Sequence, residues 1–192
     1  MKKKIVSVCL VVCLLATAII GTTLAYFTDE TDVVNNTFTT GNVTIDLDEA
    51  KVDEYGVEVE LAERVTENSY KLVPSATYTK DPTVHVAKGS EPCYVYVEIR
   101  NSIAELIDPL LIEDGWNSMG NGVYYWNEVV DARENAVDLT VFESFTVRED
   151  AVLTGVTSED AITVQAFAVQ TSGDFADAQA AWNATFGAPV EP

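Results

Sequence analysis

Residues 92–100, PCYVYVEIR, constrain this chain more than any other stretch. Cys93, Val95, Val97 and Ile99 alternate with Tyr94, Tyr96 and Glu98. Residues two apart share one face of a strand, whereas a helix would scatter the same row around its axis. The period recurs along the chain. Val43, Ile45 and Leu47 stand against Thr44, Asp46 and Asp48, and Val57, Val59 and Leu61 against Glu58, Glu60 and Glu63. An Asp53-Glu54-Tyr55-Gly56 turn can join these two as a hairpin, and Val84 and Val86 flank His85 in the same way.

Further strands are expected at residues 70–73, closed by Pro74, in the aromatic run of GWNSMGNGVYYWNEV, and at residues 139–147, 152–156 and 161–170. Two segments carry helical spacing instead. Ile103, Leu106, Ile107 and Leu110 recur within residues 101–112, with Asn101 or Ser102 as cap and Pro109 near the end. Phe175, Ala178, Ala181, Trp182 and Phe186 line one side of a second helix, with Ser172 or Asp174 as cap. Eight or nine short strands with a turn about every ten residues define an all-β fold. The expected form is an antiparallel jelly-roll or Greek-key β-sandwich with one or two short helices.

The N-terminus reads as an export signal. Lys2, Lys3 and Lys4 precede an apolar run from Ile5 to Ile20, and Thr23 and Ala25 put small residues at −3 and −1 of a cut between Ala25 and Tyr26. Residues 1–25 are thus a signal peptide, 26–36 a polar acidic leader, 37–187 the folded domain and 188–192 a tail. The membrane enters only through the uncleaved precursor. Cleavage leaves 8 basic residues against 31 acidic ones, a net charge of −23. That balance argues against nucleic acid or anionic lipid as partner, because phosphate recognition needs clustered Lys and Arg. Cys9 and Cys13 leave with the signal, so Cys93 is the one mature thiol and no internal disulfide can form.

Catalytic patterns are sparse. His85 is the single histidine and should face away from Val84 and Val86; HExxH, CxxC and GxSxG spacings are absent. No enzyme activity and no cofactor are expected. Asp46, Asp48, Asp53 and Glu54 invite a Ca²⁺ reading, but Ala50, Lys51 and the missing sixth-position glycine break the EF-hand pattern. A solvated strand face explains the cluster, with weak divalent binding at a subunit junction left open. Asn35, Asn42 and Asn183 open N-x-Thr sequons, and Tyr124, Tyr125 and Trp126 suit cross-strand packing better than a ligand box.

The string GTTLAYFTD at residues 21–29, followed by NTFTTGNVTIDL at residues 36–47, resembles the N-terminus of the TasA/camelysin family. Asn36, Phe38, Gly41, Val43, Ile45 and Leu47 fill the family's places. KDPTVHV, PCYVYVEI and AITVQAFAVQ are similar to shorter members. The resemblance implies a dedicated signal peptidase and a secreted jelly-roll subunit of a biofilm-matrix fibre, with itself and related matrix proteins as partners. It also implies that residues 26–36 leave their own domain to complete the sheet of the next subunit. Tyr26, Phe27, Val33 and Val34 would be the assembly residues, with Phe27 the best anchor. Two other readings compete: a camelysin-like surface metalloprotease, for which the chain offers no zinc motif, and a monomeric surface binding module.

Overall fold

The alternation at residues 92–100 forms β5, Cys93–Asn101, the axis of the larger sheet. The computed structural model describes residues 28–30, 43–171 and 175–187. The signal, its cleavage point and the tail beyond Gly187 lie outside the described residues. β5 pairs antiparallel along all of β10, Ile162–Gln170, with Cys93 opposite Gln170 and Asn101 opposite Ile162. On the other flank lies β7, Val123–Trp126, followed by β6, Trp116–Gly120. Asn121 and Gly122 join β6 to β7, both at positive φ, the backbone that a tight two-residue hairpin demands. β1, Thr28–Glu30, forms the outermost strand beyond β10.

A second layer holds β2, Ile45–Asp48, β4, Thr83–Val86, and β8, Val137–Thr140, in the order β2-β4-β8. A further pair comprises β3, Thr77–Thr79, and β9, Ser144–Thr146. Both layers are antiparallel and share one core. Val95, Val97, Val164 and Ala166 from the larger sheet meet Val84, Val86, Leu139 and Phe145 from the smaller ones. The protein is therefore predominantly β.

The far face of the larger sheet is covered by α1, Ala178–Thr185. Asp177, rather than Ser172 or Asp174, is its cap: the carboxylate accepts from Ala180 N–H at 2.8 Å. The expected side is the one buried, with Ala178, Ala181 and Trp182 lying on Tyr96, Phe167 and Val169. The Trp182 ring lies tilted 5.1 Å from Tyr96 and edge-to-face 5.2 Å from Phe167, and the Tyr96 hydroxyl donates to Ala178 C=O at 2.6 Å. Burying an aromatic side chain of this size contributes about 2–3 kcal/mol, so this small helix is held by packing more than by its own propensity.

Five expected elements differ. Residues 57–61 form no strand: Val57, Val59 and Leu61 are exposed, and only Val52 and Glu58 bridge. Asp53 Oδ1 accepts from the N–H groups of Tyr55 and Val57, so the expected Asp53–Gly56 turn forms but the ladder beyond it stops at that single bridge. Residues 70–73 also lack a ladder; the Tyr78 hydroxyl accepts from Val73 N–H and donates to Lys71 C=O, each at 2.8 Å. Residues 152–156 are turn and loop.

Beyond Asn101, the last residue of β5, residues 102–106 are turns and 107–112 a single bridge and loop, not a helix. Asn101 Oδ1 accepts from Ile103 N–H, a local turn in place of a helix cap. Arg148 N–H donates to Leu106 C=O, and Asp108 N–H to Thr146 C=O. These main-chain groups bind the neighbouring strand region, while Ile103 and Ile107 still reach the core. The single strand expected over residues 139–147 is two strands in different sheets. Between them Val141 N–H donates to Pro82 C=O as the chain crosses, with Val141 and Phe142 fully buried.

Candidate functional site

β10 is the element around which a candidate assembly edge is built. Its run ITVQAFAVQ buries Val164, Ala166 and Ala168 in the main core, and Phe167 and Val169 under α1. A strand covered on both faces reads as a near-continuous apolar run, and residues 166–169 are all buried. One flank is saturated by β5. The other takes β1, with Thr28 opposite Val169, Asp29 opposite Ala168 and Glu30 opposite Phe167.

That pairing lies within the 26–36 segment. Of that segment Thr28, Asp29 and Glu30 are described, and they form an edge strand rather than a free leader. Ala25, Tyr26, Phe27, Val33 and Val34, the expected cleavage and assembly residues, lie outside the described residues. Weak apolar alternation hid the strand from a sequence reading, because an edge pairing through main-chain N–H and C=O groups needs no side-chain pattern.

Next to the opposite end of β10 lies a cavity of about 590 Å³. Its walls include Ile162 and Val164 of β10, Leu47 of β2, Val65, Tyr70 and Phe145. Glu49 and Lys80 pair inside it at 2.5 Å, both nearly buried, and Asn68 donates to the other Glu49 oxygen at 2.9 Å. Burial, reinforced by the charges of Glu49 and Asp81, pushes the Tyr70 hydroxyl pKa upward, so the phenol stays neutral. Its O–H donates to Thr79 C=O at 3.1 Å.

The outward face of the β2-β4-β8 sheet carries the groups that sequence reading singled out for chemistry. His85 does turn away from the buried Val84 and Val86. It stands between two carboxylates, Nδ1 2.7 Å from Asp138 and Nε2 2.9 Å from Asp48. Arg64 Nε donates to the same Asp48 oxygen, and its Nη1 reaches Asp81 at 2.7 Å. Asp46 stands opposite His85 in the β2–β4 register. Asp53 is occupied in its own turn, so the carboxylates considered for Ca²⁺ are split between a histidine–arginine network and a loop. Among the described residues no group of three or more His, Cys, Asp or Glu side chains is arranged to hold a metal ion.

Cys93 is fully buried in the core, and burial pushes its thiol pKa up to about 12. A nucleophilic thiolate needs the opposite environment. Tyr124 and Trp126 pack against the core and Tyr125 against the cluster under α1, as cross-strand packing implies. Asn183 sits exposed on α1; Asn35 and Asn42 lie outside the described residues. The comparisons with known proteins found no matching family model, no matching curated protein and no matching solved structure.

Proposed function

We propose that the chain is exported, cleaved between Ala25 and Tyr26, and assembles as a non-enzymatic jelly-roll subunit of an extracellular matrix fibre. In this reading residues 26–36 of one subunit lie along β10 of the next. The observation that carries it is the β1–β10 pairing: the segment ahead of the domain already forms an antiparallel edge strand.

Strand addition of this kind draws on main-chain groups, so a second copy can supply it as well as the same chain. Geometry allows the exchange. Thirteen residue steps separate Glu30 from Val43, and at most ~3.6 Å per step gives a reach of roughly 45 Å. A domain of this length has a radius of gyration of about 15 Å, so the reach exceeds its width. Head-to-tail exchange grows filaments when the rotation between successive subunits does not close a ring. The resemblance of residues 21–47 to the TasA/camelysin family supports the same reading and adds related matrix proteins and an export peptidase as partners. A divalent ion at the junction is compatible with so acidic a chain.

The test compares protein beginning at Tyr26 with protein beginning at Thr37 by electron microscopy over a range of salt and Ca²⁺. Filaments from the first and none from the second support strand exchange. Monomers from both under every condition overturn it. The cavity beside β10 favours a second reading, a surface binding module, in which the domain stays monomeric and takes a small ligand there.

A further inference from the structure

Two carboxylates address one imidazole at hydrogen-bond distance, one at each ring nitrogen. Neutral histidine has a single N–H, so one of the two contacts would then set a nitrogen lone pair against a carboxylate oxygen. Only the imidazolium donates to both. We propose that Asp48, His85 and Asp138 form a proton-operated clasp, closed when His85 is charged and released when it loses its proton.

The clasp spans three strands. Asp48 ends β2, His85 lies on the central β4 and Asp138 belongs to β8. It also has a second arm. Asp48 is shared with Arg64, which in addition donates from Nη2 to the main-chain carbonyls of Asp48 and Asp81. Arg64 thereby anchors the start of the segment that walls the cavity at Val65 and Asn68. Releasing His85 leaves Asp48 held by Arg64 alone and loosens that wall.

The charges facing His85 favour the closed form. Asp46 and Asp48 come from β2, Asp138 from β8, Asp81 from the approach to β4, and Arg64 from the crossing segment; the neighbouring Thr83 and Thr140 hydroxyls pair at 3.1 Å and are neutral. Four carboxylates therefore surround two cations, and losing the His85 proton worsens an existing imbalance. Burial alone would lower the His85 pKa; the hydrogen bonds to Asp138 and Asp48, and their charges, outweigh it and the net direction is upward from 6.5. A folded value above the unfolded one means the stabilisation is fully present below about pH 6.5 and is lost as pH rises through the folded value.

The chain has one histidine, so its ring C–H resonance reports the clasp without assignment. Protein beginning at Tyr26 is titrated by NMR from pH 5 to 9, and amide exchange is followed in residues 64–70. The expected result is a midpoint above 6.5, lowered in Asp138→Asn, together with exchange at 64–70 rising several-fold more than base catalysis predicts as the ring deprotonates. His85→Gln should lose that extra pH dependence. A midpoint at or below 6.5, or no downward shift in Asp138→Asn, overturns the proposal. Should His85→Gln fail to fold, the midpoints of the native chain and of Asp138→Asn still decide.

Discussion

Removing one oxygen from Tyr78 tests how the domain holds a segment that forms no strand. Tyr78 is 1% exposed, and its ring lies 5.1 Å from Phe145 and 5.8 Å from Tyr70. Its hydroxyl bonds both Val73 N–H and Lys71 C=O. Tyr78→Phe keeps the ring contacts and abandons both main-chain partners. A net hydrogen bond is worth about 0.5–1.5 kcal/mol, and a fully buried orphan costs about 1–3 kcal/mol. Lys71 and Val73 are exposed residues, so water can reach part of what is abandoned. The expected loss is therefore about 1–2 kcal/mol in all. For a domain of this size that lowers Tm by roughly 2–8 °C. Chemical denaturation with an unchanged m-value gives the free energy, and faster amide exchange at residues 70–73 locates it. A loss below about 0.5 kcal/mol, or exchange unchanged there, would refute the claim that a side chain replaces the missing ladder.

Other perturbations have equally definite outcomes. Gly122→Ala would put a Cβ 2.2 Å from Ile99 C=O at a φ of +78°, so it should cost at least ~2 kcal/mol, measured by urea unfolding. Asp177→Ala removes the α1 cap and should cost about 1 kcal/mol, with greater solvent quenching of Trp182 fluorescence as the readout. Cys93 should resist a thiol reagent at pH 8 in the folded protein and react once in denaturant. Because burial holds its folded pKa at about 12, above the ordinary 9.0, its contribution to stability declines as pH rises from 9 toward 12.

Much of this fold is legible where a strand's pattern and its packing agree. β5 and β10 are apolar and paired with each other over nine residues, so their alternation or continuity is visible without knowing the partner. The Trp182 side of α1 is legible for the same reason, whereas GWNSMGNG, which reads as a turn before one aromatic strand, also holds β6. Several misread segments have backbone groups satisfied by side chains rather than by a ladder. Val57 N–H donates to Asp53, Val73 N–H to the Tyr78 hydroxyl and Ile103 N–H to Asn101. Apolar alternation does not encode such bonds. Residues 101–112 show the subtler case: Ile103 and Ile107 are buried as their spacing suggested, but not in a helix. The His85 network was half visible. Its outward direction followed from Val84 and Val86, whereas its carboxylate partners depend on a strand order, β2-β4-β8, that skips along the chain.

The edge pairing of β1 is the feature on which the fibre proposal depends, and its register offers a direct test. Thr28 stands opposite Val169 in the β1–β10 ladder, and cysteine is close in size to threonine and smaller than valine. One preparation carries Thr28→Cys, another Val169→Cys, each in a Cys93→Ser background and each beginning at Tyr26. The two are mixed, oxidised and run without reductant. Strand exchange predicts a disulfide between the two different chains, formed only in the mixture and enriched in the filament fraction. A bond that forms only when both cysteines occupy one chain, with no cross-linked pair from the mixture, would contradict it.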